Sequence, residues 1–209
     1  MKRIVILDLN GVIINSISVQ RKAFYRSYYI VLGNGNPPPF EDFLRHSGNS
    51  IVEILQKMNL PVEMADIYRE INRELINEIE IYSGIKELLI KLKENNFSLV
   101  LFTGKDRIRV LELLNKFSIY EYFDLLITSD DTINGKPNKD AFELIKQLFK
   151  DDIDCVMVGD GVNDLLFAKN CNIKSIAVTW GEIDKEILLK ENPDYVAENP
   201  QEIANYLLK

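Results

Sequence analysis

Four short segments of this chain carry side chains able to do chemistry together: Asp8-Leu9-Asn10-Gly11, Thr103-Gly104, Gly135-Lys136-Pro137 and Gly159-Asp160-Gly161-Val162-Asn163-Asp164. Asp8, Thr103 and Asp160 close apolar runs, and Lys136 lies in the loop beyond another. Carboxylates brought together raise one another's pKa unless a cation sits among them, and an all-oxygen donor set favours a hard ion such as Mg2+. Mg2+ binds through few carboxylates and keeps positions for water and a substrate phosphate, while a lysine beside it neutralises remaining phosphoryl charge. The pattern predicts a phosphate site built from Asp8, Asp160, Asp164, Thr103 and Lys136. Asn163 and Asp164 would also serve as caps for a following helix. That role alone leaves Asp8 and Lys136 without a purpose.

The elements that must position these residues follow from periodicity. Ile4 to Leu7 is a continuous branched run, as expected of a parallel strand covered on both faces. Phe97 to Phe102, Leu125 to Ile127, Cys155 to Val158 and Ser175 to Val178 repeat that character. Between them lie the helical patterns Ile85-Leu88-Leu89-Leu92, Ile108-Leu111-Leu114, Phe142-Ile145-Leu148 and Leu165-Leu166-Ala168. Strand and helix in alternation predict a doubly wound parallel α/β sheet of Rossmann-like type, with ligands collected at the carboxyl ends of its strands. A weaker strand at Tyr195-Val196 and a closing helix from Pro200, with Asn199 as its N-cap, finish the chain.

Residues 16–80 break the rhythm, holding helical patterns but no convincing strand. They are expected to form a helical cap domain inserted into a core of residues 1–15 and 81–209. Within the insertion, Gly33 to Pro39 reads as a loop on turn chemistry. It is no dinucleotide fingerprint, since no strand precedes it and a third glycine is missing at the required spacing.

The chain has 209 residues, 46% hydrophobic and 27% charged, which suits one globular domain with an insertion and excludes disorder. Its 32 acids against 25 bases give a net charge of -7, which opposes nucleic acid and anionic lipid as partners. Apolar runs are strand-sized, and Met1-Lys2-Arg3 leads into one without a signal-peptide pattern. The expectation is a cytoplasmic protein, a monomer or weak homodimer, whose partner is a small phosphorylated metabolite. Cys155 and Cys171 are too few for a disulfide framework, and with the single His46 they supply no zinc site.

Asp8-Leu9-Asn10-Gly11-Val12, Phe102-Thr103-Gly104, Gly135-Lys136-Pro137-Asn138-Lys139-Asp140-Ala141-Phe142 and Val158-Gly159-Asp160-Gly161-Val162-Asn163-Asp164 resemble the four ordered motifs of the haloacid dehalogenase superfamily. The likeness runs on to Val178-Thr179-Trp180-Gly181, and the insertion after the first motif is similar to the cap of the phosphoglycolate-phosphatase and β-phosphoglucomutase-like branch. The resemblance implies a Mg2+-dependent phosphatase in which Asp8 is the nucleophile and forms an aspartyl-phosphate. It implies that Thr103 and the Gly104 amide hold phosphoryl oxygens and that Lys136 bridges nucleophile and phosphate. Asp160 would bind the metal directly, Asp164 would act on its waters, and Asn10 would offer its backbone carbonyl.

One departure matters. Phosphatases of the superfamily normally carry a second aspartate two residues after the nucleophile, which protonates the leaving alcohol and then activates water; here that residue is Asn10. A carboxamide shuttles no proton at neutral pH, and general acid–base catalysis is typically worth about 10² to 10⁴ in rate. Slow turnover is therefore expected, with a non-catalytic phosphometabolite sensor, a phosphomutase or a phosphonate hydrolase on the same scaffold as alternatives. The phosphonate-cleaving branch uses a cap lysine, for which Lys57 is the nearest candidate, although its helical pattern puts it on a solvated face. The stretch Leu44 to Ser50, with Arg45, His46 and Asn49, is the expected substrate-reading loop. Phospho-receiver modules use similar residues but lack a cap and carry their acidic pair at the first strand.

Overall fold

The computed structural model describes residues 1–150 and 152–209. Six strands form one parallel sheet: β1 (Lys2–Leu7), β4 (Ser98–Phe102), β5 (Leu125–Ile127), β6 (Ile153–Gly159), β7 (Lys174–Val178) and β8 (Tyr195–Ala197), in the order β5-β4-β1-β6-β7-β8. β1 is central, pairing Ile4 with Ser98 on one side and with Cys155 on the other. Strand order reverses beside β1, so the carboxyl ends of β1, β4 and β6 open into one crevice.

Helices cover both faces, which is why the strands read as unbroken apolar runs. Val5, Leu7, Leu99, Leu101, Val156 and Val158 pack against α5 (Ile85–Glu94), α6 (Arg107–Lys116) and α10 (Pro200–Leu207). On the other face Ile4, Ile6, Val100, Phe102 and Met157 meet α7 (Asp140–Phe149) and α8 (Val162–Cys171). The short α9 (Lys185–Leu189) follows β7 and buries Leu188. Asn199 caps α10 as expected, its Oδ1 accepting from the Glu202 N–H at 3.1 Å.

Two helical patterns each include one residue off the core face, beside Leu114 and Ile145, which are buried. Ile108 is 64% exposed and Leu148 54% exposed. The buried stripe of α6 is Val110, Leu113 and Leu114, with Phe117 beyond it, the i, i+3, i+4, i+7 pattern of a core face. An i, i+3, i+6 triplet instead drifts off that face.

Residues 16–80 contain α1 (Ile17–Leu32), α2 (Phe40–Leu44), α3 (Ile51–Lys57) and α4 (Met64–Glu74). They share a separate apolar cluster around Phe24, Phe40, Phe43, Leu55, Met64 and Tyr68, with Phe40 and Phe43 stacked at 5.2 Å. α3 begins on a capping box in which Ser50 Oγ accepts from the Glu53 N–H at 3.2 Å and Glu53 Oε2 accepts from the Ser50 N–H at 2.9 Å. The sequence showed no sign of the antiparallel ribbon formed by β2 (Ile14–Asn15) and β3 (Glu80–Ile81), which ties together the two chain segments joining these helices to the sheet. Two-residue strands are too short to leave a periodic signal.

Candidate active site

Asp8 follows β1 directly, and its backbone N–H donates to Val158 O of β6 at 3.1 Å, carrying the sheet register one residue past the strand. Thr103 follows β4 in the same way, donating to Ile127 O at 3.0 Å. Asp160 follows β6, and Asp164 stands in the first turn of α8, where its Oδ2 accepts from the Gly161 N–H at 3.0 Å. Asp164 therefore does close the helix start, as its residue type allows, but its other oxygen faces the site. Lys136, from the loop before α7, is fully buried, with Nζ 2.6 Å from Asp164 Oδ1 and 3.0 Å from Asp8 Oδ1. Gly11 has φ +70°, and a Cβ there would fall 1.9 Å from Asp160 Oδ2, so only glycine lets the chain turn beneath that carboxylate.

The electrostatics set Asp8, Asp160 and Asp164 against one another. Their ligand oxygens lie within 4.8 Å of one another, all buried. Burial, followed by Glu182, Asp8 and Asp164, pushes Asp160 well above the usual carboxylate range. Burial also raises Asp164, to about 6, against the downward pull of Lys136. Burial alone would lower the Lys136 ammonium, but Asp164 and Asp8 outweigh it and hold it above its ordinary value. Asp8 Oδ1 receives no hydrogen bond; its contact with Lys136 is an ion pair without donor geometry. A buried all-oxygen cluster with excess negative charge and an undonated carboxylate oxygen fits a hard divalent cation.

A cavity opens over this cluster, lined by Asp8, Asn10, Thr103, Gly104, Asp160 and Asp164 from the sheet end and by Ser47, Gly48 and Asn49 from the loop between α2 and α3. That loop sits tightly on the site. Asn163 Nδ2 donates to Ser47 O at 2.7 Å, and a Cβ on Gly104 would lie 2.1 Å from Asn49 O. Asn49 is buried and lines the cavity, its Oδ1 accepting from Lys57 Nζ at 2.7 Å. Lys57 itself is exposed, on the solvated face. The structure brings Asn49 to the cavity but not its neighbours: Arg45 points to solvent and pairs with Asp42 at 2.9 Å, and the half-buried His46 lines no part of the cavity.

The cavity also holds residues the sequence reading missed. Glu182 lines it, accepts from Gln20 Nε2 at 2.6 Å and is pushed up to about 7, chiefly by burial, while its backbone N–H donates to Asp160 Oδ2 at 2.7 Å. Gln20 Nε2 also reaches Ser16 Oγ at 3.1 Å, and Ser16 Oγ donates to Asn10 Oδ1 at 2.8 Å. Lys105 is lowered to about 8 by burial and then by Arg109. Lys105 and Glu182 each lie one residue beyond a strand-end motif already picked out, Thr103-Gly104 and Trp180-Gly181, so extending the strand-end rule by one position finds both. Gln20, Tyr68 and Asn72 come from α1 and α4, and no pattern in the chain marks them as cavity residues.

Comparison with known proteins agrees with this architecture. Residues 5–178 match the family described as haloacid dehalogenase-like hydrolase. The pyrophosphatase PpaX of Bacillus pumilus is 29% identical over 201 residues, covering 92% of this chain and 90% of that protein. The phosphoglycolate phosphatase of Vibrio parahaemolyticus is 27% identical over 217 residues, covering 96% and 94%. A crystal structure of a hydrolase from Pseudomonas syringae superposes with a TM-score of 0.86 at 23% identity, covering 99% of this chain and 98% of that one. With the motifs in order along the chain and a family match spanning most of its length, this protein belongs to the haloacid dehalogenase-like hydrolases.

Proposed function

We propose that the protein is a Mg2+-dependent phosphohydrolase of a small phosphorylated metabolite, with residues 16–80 acting as a helical cap over a core of residues 1–15 and 81–209. The observation that carries this reading is the buried cluster in which Asp8, Asp160 and Asp164 come together, with Lys136 paired to Asp8 and Asp164, and whose three carboxylates line one cavity with Thr103 and Gly104. Relatives named as a pyrophosphatase and a phosphoglycolate phosphatase support phosphoryl chemistry on small molecules. Among the described residues no helix is long and apolar enough to cross a membrane, and the reading places the protein in the cytoplasm as a monomer or weak homodimer.

In this mechanism an Asp8 oxygen attacks phosphorus as the bond to the leaving-group oxygen breaks, and water then cleaves the aspartyl-phosphate. The Thr103 hydroxyl and the Gly104 N–H orient the phosphoryl oxygens, and Lys136 screens their charge against Asp8. Asp8, Asp160 and the Asn10 carbonyl are the groups to hold Mg2+, with Asp164 on its waters; once bound, the ion supplies charge neutralisation to the phosphoryl group. The Ser47 to Asn49 loop excludes water and faces the leaving group. A hydrolysis screen over sugar phosphates, phosphoglycolate, pyrophosphate, nucleotides and aryl phosphates, with and without Mg2+, tests the reading on the chain as written and on Asn10→Asp. Hydrolysis of nothing by Asn10→Asp would transfer the protein to the sensor class.

Three further outcomes are expected. Mg2+ at roughly 100 times its Kd should stabilise the fold by about 2.7 kcal/mol, read as a rise in Tm. Asp160→Asn should raise the metal-free Tm, by removing one charge from a repelling buried cluster, and should abolish most of the Mg2+ response. An unchanged Mg2+ response would remove Asp160 from the metal site. Gly104→Ala should force the Asn49 loop off the site at a cost of about 1–3 kcal/mol, lowering Tm and raising KM more than it lowers kcat. A variant with unaltered KM would show that the loop does not cover the bound substrate.

A further inference from the structure

We propose that a second cavity, at the amino ends of the strands and remote from the carboxylate cluster, binds a free amino acid with an apolar side chain, taken up as its zwitterion. The site is independent of the phosphohydrolase reading.

The cavity has a volume of about 340 Å³, within the range of roughly 300–1,000 Å³ that small-molecule sites occupy. It is walled by the amino ends of β1, β6 and β7 and by Tyr206 and Leu207 of the last turn of α10. Arg3 and Asp8 are five residues apart along β1, about 17 Å at roughly 3.3 Å per residue, so the two cavities lie at opposite ends of the sheet.

Register puts the charged side chains of this end on one face. Arg3 is the partner of Asp154, and Lys174 is the partner of Val156, two residues on from Asp154. Partners in a parallel sheet, and residues two apart on one strand, share a face, here the face on which Val156 joins the core beneath α10. Opposite charges so placed are free to pair, yet they do not. Arg3 turns the other way: its Nη2 donates to Asn95 O at 2.6 Å and its guanidinium lies 4.1 Å from the centre of the Phe97 ring. The side chains of Asp154 and Lys174 make no hydrogen bond or ion pair with any described residue. A third cation, Lys209, lines the cavity from beyond α10.

The cavity therefore presents uncompensated charge of both signs over apolar surface from Phe97, Val156 and Leu207. A simple anion there would meet the Asp154 carboxylate, and a simple cation would meet Arg3 and Lys174. The complement of all three is a zwitterion, its ammonium on Asp154 and its carboxylate drawn to the cations on the flanking strands β1 and β7, with an apolar body against the floor. Arg3 is prepared for this: stacked on Phe97 and tied to Asn95, its planar fork is held before a ligand arrives, so little side-chain freedom is lost on binding.

Calorimetry and methyl NMR on the full chain test the site with L-phenylalanine, L-leucine, L-methionine and L-tryptophan. The controls are 3-phenylpropionate, which lacks the ammonium, phenethylamine, which lacks the carboxylate, and glycine, which lacks the apolar body. At least one of the four amino acids should bind roughly tenfold or more tighter than every control, as expected for charge-assisted contacts. It should shift the methyl signals of Val156 and Leu207 and leave those of Ile51 and Ile54, in the other cavity, in place. Asp154→Asn should weaken that amino acid roughly tenfold, while 3-phenylpropionate, freed of a repelling carboxylate, binds no worse. Arg3→Gln with Lys174→Gln should weaken it by at least as much, while phenethylamine binds no worse. A cooperative thermal transition checks that these variants fold.

No binding of any of the four amino acids at millimolar concentration overturns the site. So does an affinity no greater than that of 3-phenylpropionate or phenethylamine, which would leave only a single exposed charge. Shifts at Ile51 and Ile54 without shifts at Val156 and Leu207 would move the ligand to the other cavity and overturn it as well. An unchanged affinity in Asp154→Asn would remove the ammonium contact, and with it the zwitterion.

Discussion

Asn10→Asp is expected to raise turnover of alkyl phosphates by about 10² to 10⁴, while aryl and acyl phosphates gain far less. An alkoxide whose conjugate acid has a pKa far above neutrality needs a proton as it leaves; a nitrophenolate does not. Asn10 lines the cavity two residues past Asp8, and its Oδ1 is held by the Ser16 hydroxyl at 2.8 Å, so the side chain is oriented but has no acidic proton to give. A carboxylate in its place keeps the Ser16 bond through one oxygen and has the other for proton transfer. Water attack on the aspartyl-phosphate lacks the same group in the Asn10 protein. The intermediate should therefore accumulate there, giving a burst with p-nitrophenyl phosphate followed by slow turnover. Rapid-quench measurements on both proteins check the two halves together. Equal acceleration of aryl and alkyl esters, with no burst in the Asn10 protein, would show that residue 10 is not the missing proton carrier. Glu182, raised to about 7 in the same cavity, would then be the first group to examine.

The parts of this site legible in the sequence are those whose position follows from sheet geometry. Asp8, Thr103 and Asp160 each stand one residue beyond a buried apolar run, and a parallel sheet presents such residues on one edge. Lys136 belongs to a long loop, and no local rule says that its ammonium turns inward; only the order of motifs suggested it. Its complete burial reflects a long-range balance of Asp8 and Asp164 against desolvation, a quantity absent from any one segment. The substrate-reading loop shows the same limit in the other direction. Arg45, His46 and Asn49 lie close together in the chain, yet only Asn49 reaches the cavity, because the turns after α2 send Arg45 back to Asp42. Charge drew attention to Arg45, whereas the backbone direction decided the outcome. Arg109 was passed over for the opposite reason: an arginine in an exposed-looking helical pattern gives no hint that it is buried against Asn72 of another helix.

Removing the Lys136 charge should have the largest effect on the fold itself. Lys136→Met retains an unbranched stem that can pass the Phe102 ring, which the native ammonium approaches to 5.0 Å, but leaves Asp8 and Asp164 without their cation. Deleting one partner of a buried ion pair typically costs about 3–5 kcal/mol, because the remaining charge stays desolvated. For a chain of this size each kcal/mol corresponds to roughly 2–4 °C, so a metal-free Tm lower by roughly 6–20 °C is expected. Mg2+ should restore part of that loss, and its stabilising effect should be larger in the variant, where it is the only counter-charge left for the three carboxylates. Activity should not return with stability: the screening of phosphoryl charge against Asp8 is lost, and removing one such preorganised charge is commonly worth about 10² to 10³ in kcat. Adding Asp164→Asn to Lys136→Met separates repulsion from packing. If the destabilisation is electrostatic, the double variant should be more stable than Lys136→Met alone, a favourable coupling of the sort neighbouring charges show. A double variant less stable than either single change, with a Mg2+ response equal to that of the parent, would mean that Lys136 fills space in the core and does not balance the carboxylates.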